Sequence, residues 1–245
     1  MRILLINPNT TEAVTQRIAD AARGVAAPDT EIVPATAQFG AAIIGSRVEA
    51  AVSAAAVVER LAACADGCDA VIIGASVDSG LAAAREMLDI PVVAITEAAL
   101  HTACLLGGRI GAITMGAGND TFIREQACAY GLGTRVGAVH TLPMTPLEFL
   151  ADIAAGARAI GAVAETMVAQ QGVDTIVLIG AVMAGIPPLV QPMLRVPVLE
   201  GVTAAVGLAE ALVRLRVPPA RAGSYAAPPA ARVAALVGSL VRRSG

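Results

Sequence analysis

The chain has 245 residues, enough for one large domain or two small halves with buried cores, and 56% of them are hydrophobic, with a mean hydropathy of +0.70. Much of this apolarity is alanine, and charged residues recur too often to leave a span of about 20 apolar residues, so no transmembrane helix is expected. A net charge of −3 without a basic cluster, with 2% aromatics and no Trp, offers neither the electrostatic footprint nor the stacking platforms of a nucleic-acid binder.

The run Ile3-Leu4-Leu5-Ile6 follows a basic residue but stops at Asn7. That is short of the apolar core of a signal peptide, about 7–15 residues, and it reads as a first buried strand. Asn7-Pro8-Asn9-Thr10-Thr11 then leads into a helix at Glu12. Asn9 and Thr10 can cap that helix, and free backbone N–H groups there can hold a carboxylate or ring carbonyl; the alternative is a plain capped turn. Arg47 precedes an Ala-rich helical segment, Val48–Ala65, and is read either as a partner for a substrate carboxylate or as a surface residue. Cys64 and Cys68, four apart, fit one helix face and a buried structural role; no further Cys or His lies near them to complete a metal site. The four cysteines as a set suit a reducing cytoplasm.

The short apolar run Val71-Ile72-Ile73 reads as a strand buried on both faces. It ends in Gly74-Ala75-Ser76-Val77-Asp78-Ser79-Gly80, where Ser76, Asp78 and Ser79 are polar groups without an obvious reason to be so. Asp78 is either a reactive acid or a cap for the next helix. After a fourth strand, Ile90–Val93, Glu97 opens a helix as a capping carboxylate or a ligand-facing acid, and His101 behind it fits a packing role.

The plan then repeats. Arg109–Ile113 matches Arg2–Ile6, Asp174–Gly185 matches Asp69–Gly80, and Val196–Leu199 matches Ile90–Val93, in the same order. The loop Thr114-Met115-Gly116-Ala117-Gly118-Asn119 is the polar, Gly-rich counterpart of the Asn9 loop, with Thr114, Gly116 and Asn119 as ligand-binding residues. His140 stands near the end of the strand-like run Arg135–Val139 and is a side chain whose ordinary pKa lies near neutrality, which makes it a candidate acid, base or ligand group. Pro146–Gln170 is helical in pattern. The counterpart of the Ser76–Ser79 segment is Gly180-Ala181-Val182-Met183-Ala184, which has no acid, base or nucleophile.

Alternating strands and helices in two matched halves predict an α/β fold of two pseudo-symmetric lobes, each a parallel sheet flanked by helices, with the active-site cleft between them. The first lobe is expected over 1–100, completed by a crossover helix at about 203–216, the second over 101–202, and a linker with a tail helix over 217–245.

Several of these segments resemble the Asp/Glu/hydantoin racemase family. Ile6-Asn7-Pro8-Asn9-Thr10-Thr11 resembles the Asn-Pro-Asn-Thr-Ser opening of hydantoin and allantoin racemases, and Asp78-Ser79-Gly80-Leu81 with Ala84-Arg85-Glu86 resembles their Asp-Pro-Gly-Leu and Ala-Arg-Glu stretch. Glu97-Ala98-Ala99 with His101, Met183-Ala184-Gly185, Pro197–Val202 and Gly223–Ala226 continue the likeness over nearly the whole chain. The resemblance implies a cofactor- and metal-independent enzyme in which each half supplies a cysteine after its third strand, one removing a proton and the other returning one from the opposite face. Alignment puts those positions at Ala75 and Gly180, neither of which can transfer a proton.

Three functions follow. One is a family enzyme acting by a non-thiol route on a small carboxylate, amino-acid derivative or hydantoin-like ring, with Ser76, Asp78, Glu97 and His140 as catalytic candidates. Asn9, Thr10, Arg47, Ala75, Val77, Thr114, Gly116, Asn119, Gly180 and Ala181 would bind the substrate. The second is one-sided chemistry, hydrolysis of a cyclic amide or imide or a decarboxylation, with Ser76 as nucleophile or oxyanion donor. The third is a binding protein that kept the loops and lost the chemistry. A homo-oligomer with a small-molecule substrate is expected, and no nucleic acid or membrane partner.

Overall fold

The computed structural model describes residues 1–116 and 119–244. The first half runs β1 (Arg2–Asn7), α1 (Glu12–Val25), β2 (Glu31–Thr36), α2 (Arg47–Cys64), β3 (Ala70–Ile73), α3 (Leu81–Met87) and β4 (Val92–Ala94). Helix α4 (Ile95–Leu106) leads to β5 (Ile110–Met115), α5 (Asn119–Ala129), β6 (Val136–Leu142), α6 (Pro146–Ala151), α7 (Ile153–Gln171), β7 (Thr175–Leu178), α8 (Pro187–Val190) and β8 (Val198–Glu200). Helices α9 (Gly201–Leu215) and α10 (Ala230–Ser244) complete the chain. Among the described residues no helix is long and apolar enough to cross a membrane.

Two four-stranded parallel sheets result, ordered β2-β1-β3-β4 and β6-β5-β7-β8, and their registers are equivalent. Ile6 pairs with Ile73 in the first, and Ile113 with Leu178 in the second. Hydrogen bonds repeat as well. Asp69 N–H donates to the Arg2 carbonyl and Asp174 N–H to that of Arg109, while Gly74 N–H reaches Ile6 and Ile179 N–H reaches Ile113, both at 2.8 Å. These pairs place Ala75 and Gly180 at the same point of the two halves.

The strands are apolar throughout because both sheet faces are covered. In the second sheet Ile113, Met115, Ile176 and Leu178 pack with α7 residues Ile160, Ala164 and Met167 on one face. Ile110, Ala112, Val177 and Ile179 pack with Leu100 and Ala103 of α4 and Ile123 of α5 on the other. Each fully buried side chain of this size contributes about 1.5–3 kcal/mol, which sets the facing of every strand. The chain divides into two compact units, Met1–Ala94 with Ala205–Gly245, and Ile95–Ala204. Helix α4, with Glu97 and His101, therefore belongs with the second sheet, although the sequence suggests that the first half runs to residue 100. Most of α9 belongs with the first unit, where Glu210 accepts hydrogen bonds from Ala27 N–H (2.9 Å) and Thr30 Oγ1 (2.6 Å).

Three sequence expectations need correction. The Pro146–Gln170 segment is two helices, because Asp152 leaves helical geometry and its side chain caps α7 through Ala155 N–H (2.8 Å). Helix α2 ends at Cys64, so Cys68 is not on its face but in the turn before β3, its buried thiol against the Cys64 carbonyl. Strand β6 extends to Leu142, beyond the run Arg135–Val139, so His140 lies within the strand.

Candidate active site

The polar groups at the strand ends are built from the backbone outward. At the end of β1, Asn7 is fully buried. Its Nδ2 donates to Asn9 Oδ1 (2.9 Å) and Thr15 Oγ1 (3.0 Å), and its Oδ1 accepts from Asn9 N–H (3.2 Å). Asn9 Oδ1 also takes Thr11 N–H at 2.9 Å. The side-chain oxygens are thus spent on holding the loop, and Asn9 Nδ2 has no protein partner among the described residues. Thr10 is pinned by its N–H to the Ala41 carbonyl (3.1 Å). Thr10 is half-buried beside Asn9. Arg47 is an exposed first residue of α2, whose cap is Ser46, accepting from Glu49 N–H at 3.2 Å. Glu49 answers by accepting from Gly45 N–H and Ser46 Oγ, which holds its carboxyl below the usual range.

After β3 the chain makes a tight arch closed by Asp78 N–H to the Ala75 carbonyl (3.0 Å) and Leu81 N–H to that of Asp78 (3.3 Å). Asp78 is buried and has φ +47, a conformation few non-glycine residues adopt, and Gly80 follows with φ +76. The N-cap position of α3 is Gly80, two residues after Asp78. Ser79 is buried and its Oγ lies 2.6 Å from Ser53 Oγ of α2. Ser76 and Val77 are half-buried on the same arch, and Ala75 is buried.

The arch after β7 repeats these bonds, Met183 N–H to Gly180 (2.9 Å) and Ile186 N–H to Met183 (3.1 Å), and Gly185 has φ +75 where Gly80 has +76. The chemistry differs. Met183 stands for Asp78 and Ala184 for Ser79. Gly180 has φ +145, outside the range of L side chains, and a Cβ built on it meets nothing within 4 Å. The N–H groups of Gly180 and Ala181 make no hydrogen bond among the described residues.

Thr114 is buried near the end of β5, and Asn119 Nδ2 folds back on the Met115 carbonyl (2.6 Å), with Gly116 at φ +94 between them. Ala117 and Gly118 of this loop lie outside the described residues. Glu97 is half-buried in the first turn of α4, and His101 Nδ1 contacts its carbonyl at 2.9 Å. His140 is exposed on edge strand β6. The free cysteines, Cys64, Cys68, Cys104 and Cys128, are in or beside helices, none at a strand end, and among the described residues no three His, Cys, Asp or Glu side chains cluster as a metal site. Sequence reading passed over two features. Ser53, one of several small residues in an Ala-rich helix, gives no signal of its bond to Ser79, and Glu200, the last residue of β8, is almost fully buried.

Two equivalent parallel α/β units, each with an arch after its third strand and polar side chains in the arch after β3, define a duplicated α/β enzyme scaffold. Residues 3–209 match the family model described as Asp/Glu/hydantoin racemase, and the chain belongs to that family. A hydantoin racemase from Pseudomonas sp. strain NS671 is 36% identical over 216 residues, 88% of this chain and 87% of that protein. The structure of an allantoin racemase from Pseudomonas fluorescens superposes with a TM-score of 0.90 at 38% identity, covering 93% of this chain and 97% of that one. Unliganded arylmalonate decarboxylase, at 21% identity and a TM-score of 0.59 over 86% of this chain and 92% of that one, shares the fold.

Proposed function

We propose that this protein is a cofactor-independent enzyme that labilises the proton of a carbon acid in a hydantoin-like ring or an amino-acid-derived carboxylate, and that it does so without thiols. The observation that carries this reading is the pairing of Ala75 with Gly180 at equivalent points of the two sheets, within a chain 36% identical to a hydantoin racemase. Asp78 is the base. It is a buried carboxyl on a loop of uncommon backbone conformation, and such conformations concentrate where function requires them. The substrate proton passes to Asp78, and the electron pair moves to a carbonyl oxygen as an enolate, which N–H donors stabilise. Return of the proton to carbon completes the cycle. Return to the same face gives exchange, and return to the other face gives inversion. Glu97, half-buried at the start of α4, is the acid we assign to the second unit. Asn9 Nδ2 in the first unit, and the N–H groups of Gly180 and Ala181 in the second, are each donors suited to a carbonyl or carboxylate oxygen.

One observation favours a second reading, one-sided chemistry such as decarboxylation or hydrolysis of a cyclic amide with Ser76 taking part. The arch after β7 has no acid, base or nucleophile where the arch after β3 has three polar side chains.

Asp78→Asn decides the role of the acid. Asn is also at home at positive φ, so the arch is preserved while the base is removed. Solvent-deuterium incorporation into an enantiopure hydantoin is expected to fall by about 10²-fold or more, with ligand affinity retained. Unchanged incorporation removes Asp78 from the mechanism.

A further inference from the structure

The amides of Asn7 and Asn9 end a hydrogen-bond chain that the proposed proton transfer does not use. It starts at Glu12, the exposed first residue of α1, whose Oε2 accepts from Thr36 Oγ1 at 2.5 Å. A carboxylate only accepts and a hydroxyl has one proton. Thr36 therefore has none left for its second contact, 2.7 Å from Thr15 Oγ1, and Thr15 donates there. Thr15 Oγ1 in turn accepts from Asn7 Nδ2 (3.0 Å), which also donates to Asn9 Oδ1 (2.9 Å) and reaches the Thr11 carbonyl (3.1 Å). The backbone fixes the same sense from the other end. Asn9 N–H can only donate and meets Asn7 Oδ1 (3.2 Å), and Thr11 N–H meets Asn9 Oδ1 (2.9 Å). Each amide is thus held in one of its two flips, and Asn9 Oδ1 has both acceptor sites filled. Nδ2 is the part of Asn9 that the chain leaves unbonded.

The second half lacks this chain. Strand register pairs Asn7 with Thr36 and Thr114 with Thr141, so Thr141 is the counterpart of Thr36. The match of Arg2 with Arg109 puts Phe122 in the place of Thr15 and Asn119 in that of Glu12. Phe122 has no hydroxyl, and Asn119 Nδ2 is taken by the Met115 carbonyl (2.6 Å). The buried Thr141 Oγ1 accordingly has no partner among the described residues. A threonine stands at this register point in both sheets, but the chain forms where Thr15 and Glu12 meet it.

We propose that Glu12, Thr36 and Thr15 are positioning residues that set the flip of Asn9, so that its amide offers Nδ2 rather than Oδ1 to a carbonyl or carboxylate oxygen of the ligand. The inference rests on the reading of Asn9 as a donor to such an oxygen. Two measurements on the full chain test it: backbone amide exchange at Asn9 and Thr11, and deuterium incorporation into an enantiopure hydantoin. Thr15→Val removes the hydroxyl and keeps the shape, whereas Thr15→Ser keeps the hydroxyl and loses a methyl. In Thr15→Val, exchange at both amides is expected to quicken at least tenfold and kcat/KM to fall about tenfold, and Thr15→Ser is expected to restore both. Should Thr15→Val not fold, Thr36→Val breaks the chain one link further out, with the same expectation. Wild-type exchange in a folded valine variant overturns the chain. Quickened exchange with full kcat/KM overturns its role toward the ligand, and a Thr15→Ser as impaired as Thr15→Val assigns the effect to packing and overturns it too. If the wild type incorporates no deuterium, the proposed reaction fails, and the exchange result alone then upholds or overturns the chain.

Discussion

Ala75 and Gly180 occupy equivalent points but are not equivalent residues. Ala75 keeps a backbone that any residue can adopt, whereas Gly180 has turned to φ +145 beside open space. A side chain at the second position would meet a different backbone from one at the first, and introducing cysteines at the two points has an unequal cost. Gly180→Cys is expected to cost about 1–3 kcal/mol in strain, lowering Tm by about 2–8 °C, and Ala75→Cys to cost less. Equal Tm values in thermal unfolding would show that the Gly180 backbone relaxes freely.

Glu200 adds a pH term. Burial raises its pKa above the ordinary carboxylate range, outweighing the backbone donors to its oxygens. The folded state thus holds the Glu200 proton more tightly than the unfolded state. Its contribution is complete below the unfolded pKa and is lost as pH rises through the folded one. Against non-titrating Glu200→Gln, the Tm of the wild type is expected to fall progressively as pH is raised from about 4 upward, then to level off. A difference that stays flat from acid to neutral pH contradicts this.

At the scale of elements, the strands were legible because burial on both faces leaves a plain apolar signature, and the repeat of Asp-strand-Gly segments revealed both halves. Boundaries were harder. Asp152 looks like any exposed helix residue until its side chain is seen capping α7, and the strand-like run Arg135–Val139 stops short of Leu142, where β6 ends. The arch after β3 stood out in the sequence by the polarity of Ser76, Asp78 and Ser79, but its left-handed Asp78 and its bond to Ser53 depend on contacts between segments distant in sequence. The same holds for Gly201, where an added Cβ would lie 2.5 Å from the Ile95 carbonyl oxygen. These residues start α9 and α4, and the obstruction is backbone, so it cannot swing aside. Gly201→Ala is expected to destabilise by about 1–3 kcal/mol, read as a lower midpoint in urea. An unchanged midpoint would mean that the two helix starts can part without loss.

For the whole molecule, family membership is shown and the chemistry is what the proposal addresses. The fold and nearly the full length are those of hydantoin and allantoin racemases, while the four cysteines sit in or beside helices. The central claim is that carbon-acid chemistry persists here without thiols. Its most direct test is deuterium incorporation from D₂O into an enantiopure hydantoin, followed by NMR, comparing the wild type with a variant in which Cys64, Cys68, Cys104 and Cys128 are all replaced by Ala. Incorporation by both proteins at the same rate, within about a factor of three, is the result predicted, since thiolate catalysis would be worth about 10²-fold or more. No incorporation by the wild type, or its loss in the cysteine-free variant, would contradict the account.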